Sequence, residues 1–358
     1  MARRVFVIAE AGVNHNGDPL LARRLVEAAA AAGADAVKFQ SFRASRVAAA
    51  GAGKAAYQQR TTEAGESQLA MLKRLELSEA AHSDLAAHCR AHGIEFMSTP
   101  FDLPSVDLLA GLGVSRLKLP SGEITNAPLL LKAARTGLPL IVSTGMSGLA
   151  EVEDALGVLA FGLSGRRGRP GRQAFRTAYA SPAGRRALAA KVTLLHCTTE
   201  YPAPIDEANL RAMLTLARAF GLPVGLSDHT RGLVAAIGAV ALGAAVVEKH
   251  FTLDPDLPGP DHAASLTPDE LAALVAAVRQ AERCLGEAVK IPAPSELKNL
   301  PVARRSLVAG RDIAAGEAFT EDNLTVKRPG TGISPLEYFD YLGRRATRPY
   351  RADELIEP

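Results

Sequence analysis

Short apolar runs recur along the chain, and each closes on a cluster of polar residues. Val5 to Ala9 ends in Glu10 and a polar Ala-Gly-Val-Asn-His-Asn-Gly loop, and Ala36-Val-Lys-Phe-Gln40 carries its own polar positions. Ile94 to Met97 leads into Ser98-Thr99-Pro100, Leu117 to Pro120 into Ser121-Gly122-Glu123, and Leu138 to Val142 into Ser143-Thr144-Gly145. Val192 to Leu195 leads into His196-Cys197-Thr198-Thr199, Leu222 to Leu226 into Ser227-Asp228-His229, and Ala244 to Val247 into Glu248-Lys249-His250. Runs this short read as buried strands. Helical sequence lies between them, as over Pro19 to Ala32, which Gly33 stops, and over Gly232 to Leu242. Eight strand-then-helix units without an antiparallel interruption predict an α/β fold, a (β/α)8 TIM barrel. A doubly wound sheet would instead scatter the strand ends along a flat edge.

In a barrel the C-terminal strand ends converge on one mouth, and that face carries the chemistry. Glu10, Lys38, Gln40, Thr99, Lys118, Ser121, Glu123, Ser143, Thr199, Tyr201, Ser227, His229 and His250 are therefore predicted to face a common space. The last two strands and their helix form one right-handed parallel crossover, which places His229 and His250 at the same edge. Two imidazoles on rigid strand ends suit a divalent ion such as Mn, Fe, Co or Zn; a strand-end His that merely bonds a backbone carbonyl is the plainer alternative. Lys38 and Lys118, with the hydroxyls of Thr99, Ser121, Ser143 and Ser227, form a set suited to phosphate. Glu10 and Glu123 are available as general acid and base. Asp261, in the loop beyond the eighth strand, is placed to bind substrate hydroxyls, or is a plain turn residue. His196 and Cys197 are adjacent in a strand, point to opposite faces, and are excluded as a nucleophile and base.

Composition narrows the setting. The net charge of +3 calls for neither nucleic acid nor an anionic membrane. Three cysteines without a C-x-x-C pair argue against a disulfide scaffold or structural zinc and fit a reducing cytoplasm. No apolar stretch reaches the ~18 residues of a membrane span, and no leader is expected. The chain exceeds the ~250 residues typical of one barrel. Residues 1–288 are assigned to the barrel, 289–301 to a proline-rich linker, and 302–358 to a small second domain. In that domain Arg304–Ala309, Asp312–Phe319 and Leu324–Gly330 read as short strands. Between Gly162 and Thr199 there is no acidic residue, while eight Lys or Arg fall between Arg166 and Lys191. This insertion precedes a strand, so it belongs away from the mouth, as a solvated addition or an anionic partner surface.

The ordered motifs Ile8-Ala-Glu-Ala-Gly-Val-Asn-His-Asn-Gly17, Val37-Lys-Phe-Gln40, Ser98-Thr-Pro-Phe101, Lys118-Leu-Pro-Ser-Gly-Glu123, Ser143-Thr-Gly-Met146, His196-Cys-Thr-Thr-Glu-Tyr-Pro202, Ser227-Asp-His-Thr230, Glu248-Lys-His-Phe251 and Gly259-Pro-Asp-His262 resemble those of the bacterial sialic acid synthases. The tail resembles that family's antifreeze-like (SAF) domain. The resemblance implies condensation of phosphoenolpyruvate with an N-acetylhexosamine aldehyde, N-acetylmannosamine in the first place, giving N-acetylneuraminate and phosphate by C–O cleavage. It implies a divalent metal (Mn, or Mg or Co) on His229 and His250. Phosphoenolpyruvate would be held by Lys38, Gln40, Thr99, Lys118, Ser121, Ser143 and Ser227, and Glu10, Tyr201 and Asp261 would contact the sugar or a metal-bound water. Glu123 is implied as the proton shuttle. Arg328, in Lys327-Arg-Pro-Gly330, would reach the partner's sugar in a homodimer that exchanges tails.

The family's N-acetylneuraminate enzymes tend to carry Asn and an aliphatic residue where this chain has Thr199-Glu200. The same pattern occurs in relatives that act on diacetamido sugars, so a legionaminic or pseudaminic acid synthase is the alternative. A lysine Schiff-base aldolase using Lys38, Lys118 or Lys249, and a non-catalytic sugar-binding protein, are rivals from other classes.

Overall fold

The computed structural model describes residues 4–63 and 65–358. The chain divides into two compact units, one running to Gly286 and the other spanning Glu287–Pro358. In the first, strands β1 (Phe6–Gly12), β2 (Ala36–Ser41), β3 (Glu95–Pro100), β4 (Leu117–Leu119), β5 (Leu140–Ser143), β6 (Val192–His196), β7 (Val224–Asp228) and β8 (Val246–His250) form one sheet in the order β3-β2-β1-β8-β7-β6-β5-β4. Every pairing is parallel. β3 and β4 pack side by side and nearly close the barrel without a ladder among the described pairings. Pro100 and Pro120, at their ends, have no N–H to extend one. The predicted TIM barrel is the observed architecture.

Alternation along the strands builds the interior in layers. Ile8, Ala36, Met97, Ile141, Leu195 and Val246 form one apolar layer across the lumen. Gly225 belongs to it because a Cβ there would collide with the Val246 carbonyl and the Leu195 side chain. Two residues further along each of these strands stand Glu10, Lys38, Thr99, Ser143, Cys197, Glu248 and Ser227. The next layer toward the mouth is therefore polar, on an apolar floor.

The outward strand faces, with Val7, Val37 and Phe39, pack under the helices. The helix Pro19–Ala31 begins where Asp18 accepts a hydrogen bond from Leu20 N–H and Pro19 presets the first turn. It buries Ala22, Leu25, Val26 and Ala29, one stripe at helical spacing. Between β2 and β3 lies a segment that the apolar pattern does not foretell, with short helices Ala44–Val47, Ala56–Thr61 and Gln68–Leu75 before the barrel helix Glu79–Ala91. Met71 and Leu75 tie it to Val13 and Phe42 in a separate small core.

The basic insertion folds as two helices, Arg172–Ala180 and Pro182–Lys191, on the outside of the helix Leu149–Leu163. Phe161 and Phe175 meet edge to face at 5.5 Å, and Gly157 leaves room for the Phe175 backbone. Arg166 is half-buried and the other basic residues of the insertion are exposed.

In the second unit β9 (Ser306–Ala309) and β10 (Leu324–Lys327) pair antiparallel over a core that includes Leu307, Ile313, Phe319, Tyr341 and Tyr350. The expected middle strand Asp312–Phe319 does not form. Its chain turns at Gly316 (φ +82°), leaving isolated bridges at Ile313–Tyr350 and Ala318–Arg345. Within 289–301, helical turns begin at Pro294 and Leu300, and these residues cluster with the second unit. No helix among the described residues is long and apolar enough to cross a membrane.

Candidate active site at the barrel mouth

The polar layer is organised by two lysines and two carboxylates from four strands. Lys38 Nζ lies 2.5 Å from Glu10 Oε2, donates to Thr99 Oγ1 at 3.0 Å and stands 3.7 Å from Glu248 Oε2. Lys118 Nζ pairs with Glu248 Oε1 at 3.2 Å, and the Ser227 hydroxyl donates to the same oxygen at 2.9 Å. All of these groups are buried. Glu248 was not among the predicted site residues, although it stands two residues before His250 and so on the same face.

This arrangement separates the two carboxylates. Burial lifts the Glu10 carboxyl to about 7; Lys38 pulls against that, and the Glu248 charge adds to it. Burial also acts to raise Glu248, but Lys118 and Lys38 outweigh it and hold the carboxyl at about 2. Burial works to lower the Lys38 pKa, and Glu10 and Glu248 reverse it, so the ammonium is favoured. One carboxyl is thus tuned to exchange a proton near neutrality while the other stays charged.

Above this layer His229 and His250 face each other with ring centroids 5.5 Å apart. His229 donates Nδ1–H to the Thr198 carbonyl at 2.6 Å, which leaves Nε2 as the free lone pair, 3.3 Å from Ser227 Oγ. His250 Nδ1 is buried without a hydrogen-bond partner and lies 3.8 Å from Asp261 Oδ2. Burial lowers His229 to about 4 and His250 well below its ordinary value, so both rings stand neutral. Neutral imidazoles, one held in orientation by a backbone carbonyl, fit an open two-histidine metal site completed by water or substrate. A tighter set of three donor groups, Glu27, His88 and His92, lies elsewhere on the barrel. Gly12 (φ +53°) takes a left-handed turn at the mouth, where a Cβ would crowd Glu10 Oε1 at 3.3 Å.

The other predicted residues fall around this centre. Ser121 Oγ accepts from Gly145 N–H at 2.9 Å and touches Cys197 Sγ at 3.0 Å, while Thr199 closes over the same spot, where a Cβ on Gly145 would overlap its hydroxyl. Ser143 Oγ and Thr199 Oγ1, like Glu248 Oε2 and His250 Nδ1, are buried polar atoms without a hydrogen-bond partner. Four such atoms around one mouth mark a place built to receive polar groups. Gln40 is half-buried at the end of β2. Glu123 is half-buried in a short helical turn after β4 and accepts from Asn126 Nδ2 at 2.6 Å, outside the lysine and carboxylate cluster. Asp261 is buried, and burial lifts its carboxyl to about 6.

Tyr201 packs on His229 at 4.2 Å and against His250 at 5.5 Å. Tyr57, from the unforeseen segment after β2, covers Tyr201 at 4.9 Å, and Arg60 pairs with Glu200 at 3.2 Å. Neither Tyr57 nor Arg60 carries a sequence signal, because a contact across 140 or so residues depends on where the inserted segment folds. Arg328 lies in the second unit, exposed, with Nε donating to the Ala303 carbonyl at 3.0 Å.

Lys249 projects away from the lumen, where Asp228 Oδ2 at 2.8 Å and the Thr230 carbonyl hold it. It is thereby removed as a Schiff-base candidate, and Lys38 and Lys118 each face a carboxylate. His196 bonds the Ala208 carbonyl on the outer side while Cys197 faces inward, as their adjacency required. A cavity of ≈ 760 Å³ lies on the outer wall between the helices Leu149–Leu163 and Arg172–Ala180. The buried charges and unpartnered polar atoms lie at the mouth instead, and that is where the chemistry is assigned.

Fold and mouth together make this a TIM barrel whose strand ends join two buried lysines, hydroxyls and a neutral histidine pair, donor groups suited to an anionic small molecule. Residues 25–290 match the NeuB family and residues 304–358 match the SAF domain. The chain belongs to the NeuB family. It is 50% identical to the N,N'-diacetyllegionaminic acid synthase of Campylobacter jejuni over 99% of both chains. The N,N'-diacetyllegionaminic acid synthase of Legionella pneumophila is 47% identical, over 95% of this chain and 90% of that one. Among solved structures, the N-acetylneuraminic acid synthetase of Leptospira borgpetersenii, in complex with citrate, superposes with a TM-score of 0.66 at 34% identity, over 83% of this chain and 90% of that chain.

Proposed function

We propose that this enzyme condenses phosphoenolpyruvate with the open-chain aldehyde of a diacetamido-deoxyhexose and water, forming a nine-carbon acid of the legionaminic type and releasing phosphate. The observation that carries the reading is the mouth itself: Lys38 and Lys118 beside unpartnered Ser143 and Thr199 hydroxyls, under a neutral histidine pair. The identities of 50% and 47% to diacetyllegionaminic acid synthases, against 34% to a solved N-acetylneuraminic acid synthetase, support the diacetamido acceptor. That choice replaces N-acetylmannosamine, the acceptor expected first, with the alternative that Thr199-Glu200 had kept open.

In this reading Lys38 and Lys118 hold the phosphate, and Thr99, Ser121, Ser143 and Ser227 orient its oxygens. A divalent ion on His229 and His250 would supply Lewis-acid polarisation of the aldehyde oxygen. C3 of the enol attacks the aldehyde carbon, and Glu10, with its carboxyl near 7, donates the proton that the new alkoxide takes up. Glu123, oriented by Asn126, takes a proton from the water that adds to C2. Phosphate then leaves with its bridging oxygen as the C2–O bond breaks, taking up the proton of the C2 hydroxyl as the ketone forms. Tyr57, Tyr201 and Asp261 line the sugar side. Arg328 completes the sugar contacts of a partner subunit in a homodimer, a role that rests on the family resemblance.

Product mass spectrometry and phosphate release, with phosphoenolpyruvate and a panel of diacetamido-deoxyhexoses and N-acetylmannosamine, test this. The diacetamido sugars should be preferred in kcat/KM. Preference for N-acetylmannosamine would restore the neuraminate reading, and no phosphate release with any aldose would overturn the condensation itself.

A further inference from the structure

The helices Pro19–Ala31 and Glu79–Ala91 run side by side on the outside of the barrel. They meet through rungs spaced one turn apart. Arg23 Nη1 donates to both Asp84 carboxylate oxygens, at 2.7 and 2.9 Å, and four residues on, Glu27 Oε1 meets His88 Nε2 at 3.0 Å. Because both partners advance by four, the helices are parallel and the ladder descends toward their C-terminal ends. Barrel helices return the chain from the mouth to the opposite face, so this ladder leads away from the active site. His92, one further turn along and capping the second helix, brings its ring centroid to 4.5 Å from that of His88.

One donor atom from each of Glu27, His88 and His92 lies within 4.8 Å of the other two. We propose that these three residues form a transition-metal site of the zinc type, separate from the histidine pair at the mouth. Histidines at i and i+4 present both rings on one helix face, and the carboxylate comes from the neighbouring helix. Two imidazoles, one carboxylate oxygen and a water make the tetrahedral set that zinc takes, and the nitrogen-rich donors disfavour magnesium or calcium. His88 is the fixed member, its side chain 9% exposed, while Glu27 and His92 are exposed and free to swing in by rotamer changes to the ~2 Å bonds zinc requires. The carbonyls ending the helix Glu79–Ala91 add negative potential at the same point. An ordinary polar rung, like Arg23 with Asp84, needs only two groups; His92 is the third donor that such a rung does not require. A bound ion would clip together the two helices that flank β2, the strand that carries Lys38 and Gln40.

The test uses the full-length, tag-free chain carrying His229→Ala and His250→Ala, so that the mouth no longer contributes donors, with metal removed by chelation. Zinc titration against a chromophoric chelator should show one equivalent bound, and cobalt should give the intense visible bands of tetrahedral coordination. Adding His92→Ala or Glu27→Gln, both at exposed positions, should weaken zinc by at least roughly tenfold and abolish those bands, with the far-UV spectrum unchanged. Zinc should raise the Tm of the parent and not that of the His92→Ala chain. Equal zinc affinity with and without His92, or no zinc bound by the parent, would overturn the assignment.

Discussion

At the scale of single residues the mouth depends on Glu248, which lies between Lys38 and Lys118 and keeps both ammonium groups in place. Its charge also helps to hold the Glu10 carboxyl up at about 7. Glu248→Gln removes that repulsion, so the Glu10 pKa should fall and the alkaline limb of the kcat/KM profile, where the proton donor is lost, should move to lower pH. An unmoved alkaline limb would mean that Glu10 is not the group that titrates in catalysis. Lys38→Met leaves Glu10 without its ion partner in a buried layer, and breaking such a pair costs roughly 3–5 kcal/mol. Denaturant unfolding should show that loss together with the loss of phosphoenolpyruvate binding. The two changes separate, because Glu248→Gln alters the titration with a smaller cost in binding. Lys38, Glu10 and the histidines were readable from strand-end position alone; Glu248, two residues before His250, was readable by the same alternation but was not among the predicted site residues.

At the scale of elements, the β1 loop and the segment after β2 complete the mouth that the barrel opens. Gly17 sits at φ +79°, and a Cβ there would collide with the Arg74 carbonyl of that segment. Gly17→Ala should therefore destabilise the chain by about 2 kcal/mol or more, from left-handed strain plus the displaced contact. Gly93→Ala, also at positive φ but with open space around its Cβ, is the control for strain alone. Tyr57 covers Tyr201 from the same segment, so Tyr57→Ala should raise KM for the sugar while KM for phosphoenolpyruvate stays nearly constant. Equal effects on both would place Tyr57 over the phosphate instead. Arg60→Ala, by contrast, removes an exposed ion pair and should change stability by less than about 1 kcal/mol.

At the scale of the whole molecule, the buried histidines couple stability to pH. His15 is fully buried, accepts from Gly17 N–H through Nδ1 and is lowered to about 4 by burial first, then by neighbouring histidines. His229 and His262 are lowered to about 4 as well. Between pH ~6.5, where an unfolded histidine titrates, and about 4, the unfolded chain takes up protons that these folded rings refuse. Their contribution to stability is complete above 6.5 and is lost as pH falls. Glu10 and Asp261, raised to about 7 and about 6, act the other way, holding protons that the unfolded chain releases. Comparing His15→Gln with the parent isolates one group. The parent's loss in unfolding free energy from pH 7 to pH 5 should exceed that of the variant by about 2 kcal/mol. Identical pH dependence in the two chains would mean that His15 titrates normally.

The sequence by itself determined the barrel and the level of its chemistry, because both follow from local periods. A two-residue alternation on strands of three to seven residues decides which side chains enter the lumen, and intervening helical sequence forces parallel pairing. The tertiary structure alone decided the partners within that level. Lys38 meets Glu10 and Glu248, and Lys118 meets the latter, because the stagger of β1, β2, β4 and β8 around the nearly closed barrel sets their heights. Tyr57 over Tyr201, Asn126 on Glu123 and the failed strand at Asp312–Phe319 were likewise decided by packing or turn geometry. Alternation is a property of neighbours in the chain, whereas these contacts depend on how the chain closes on itself.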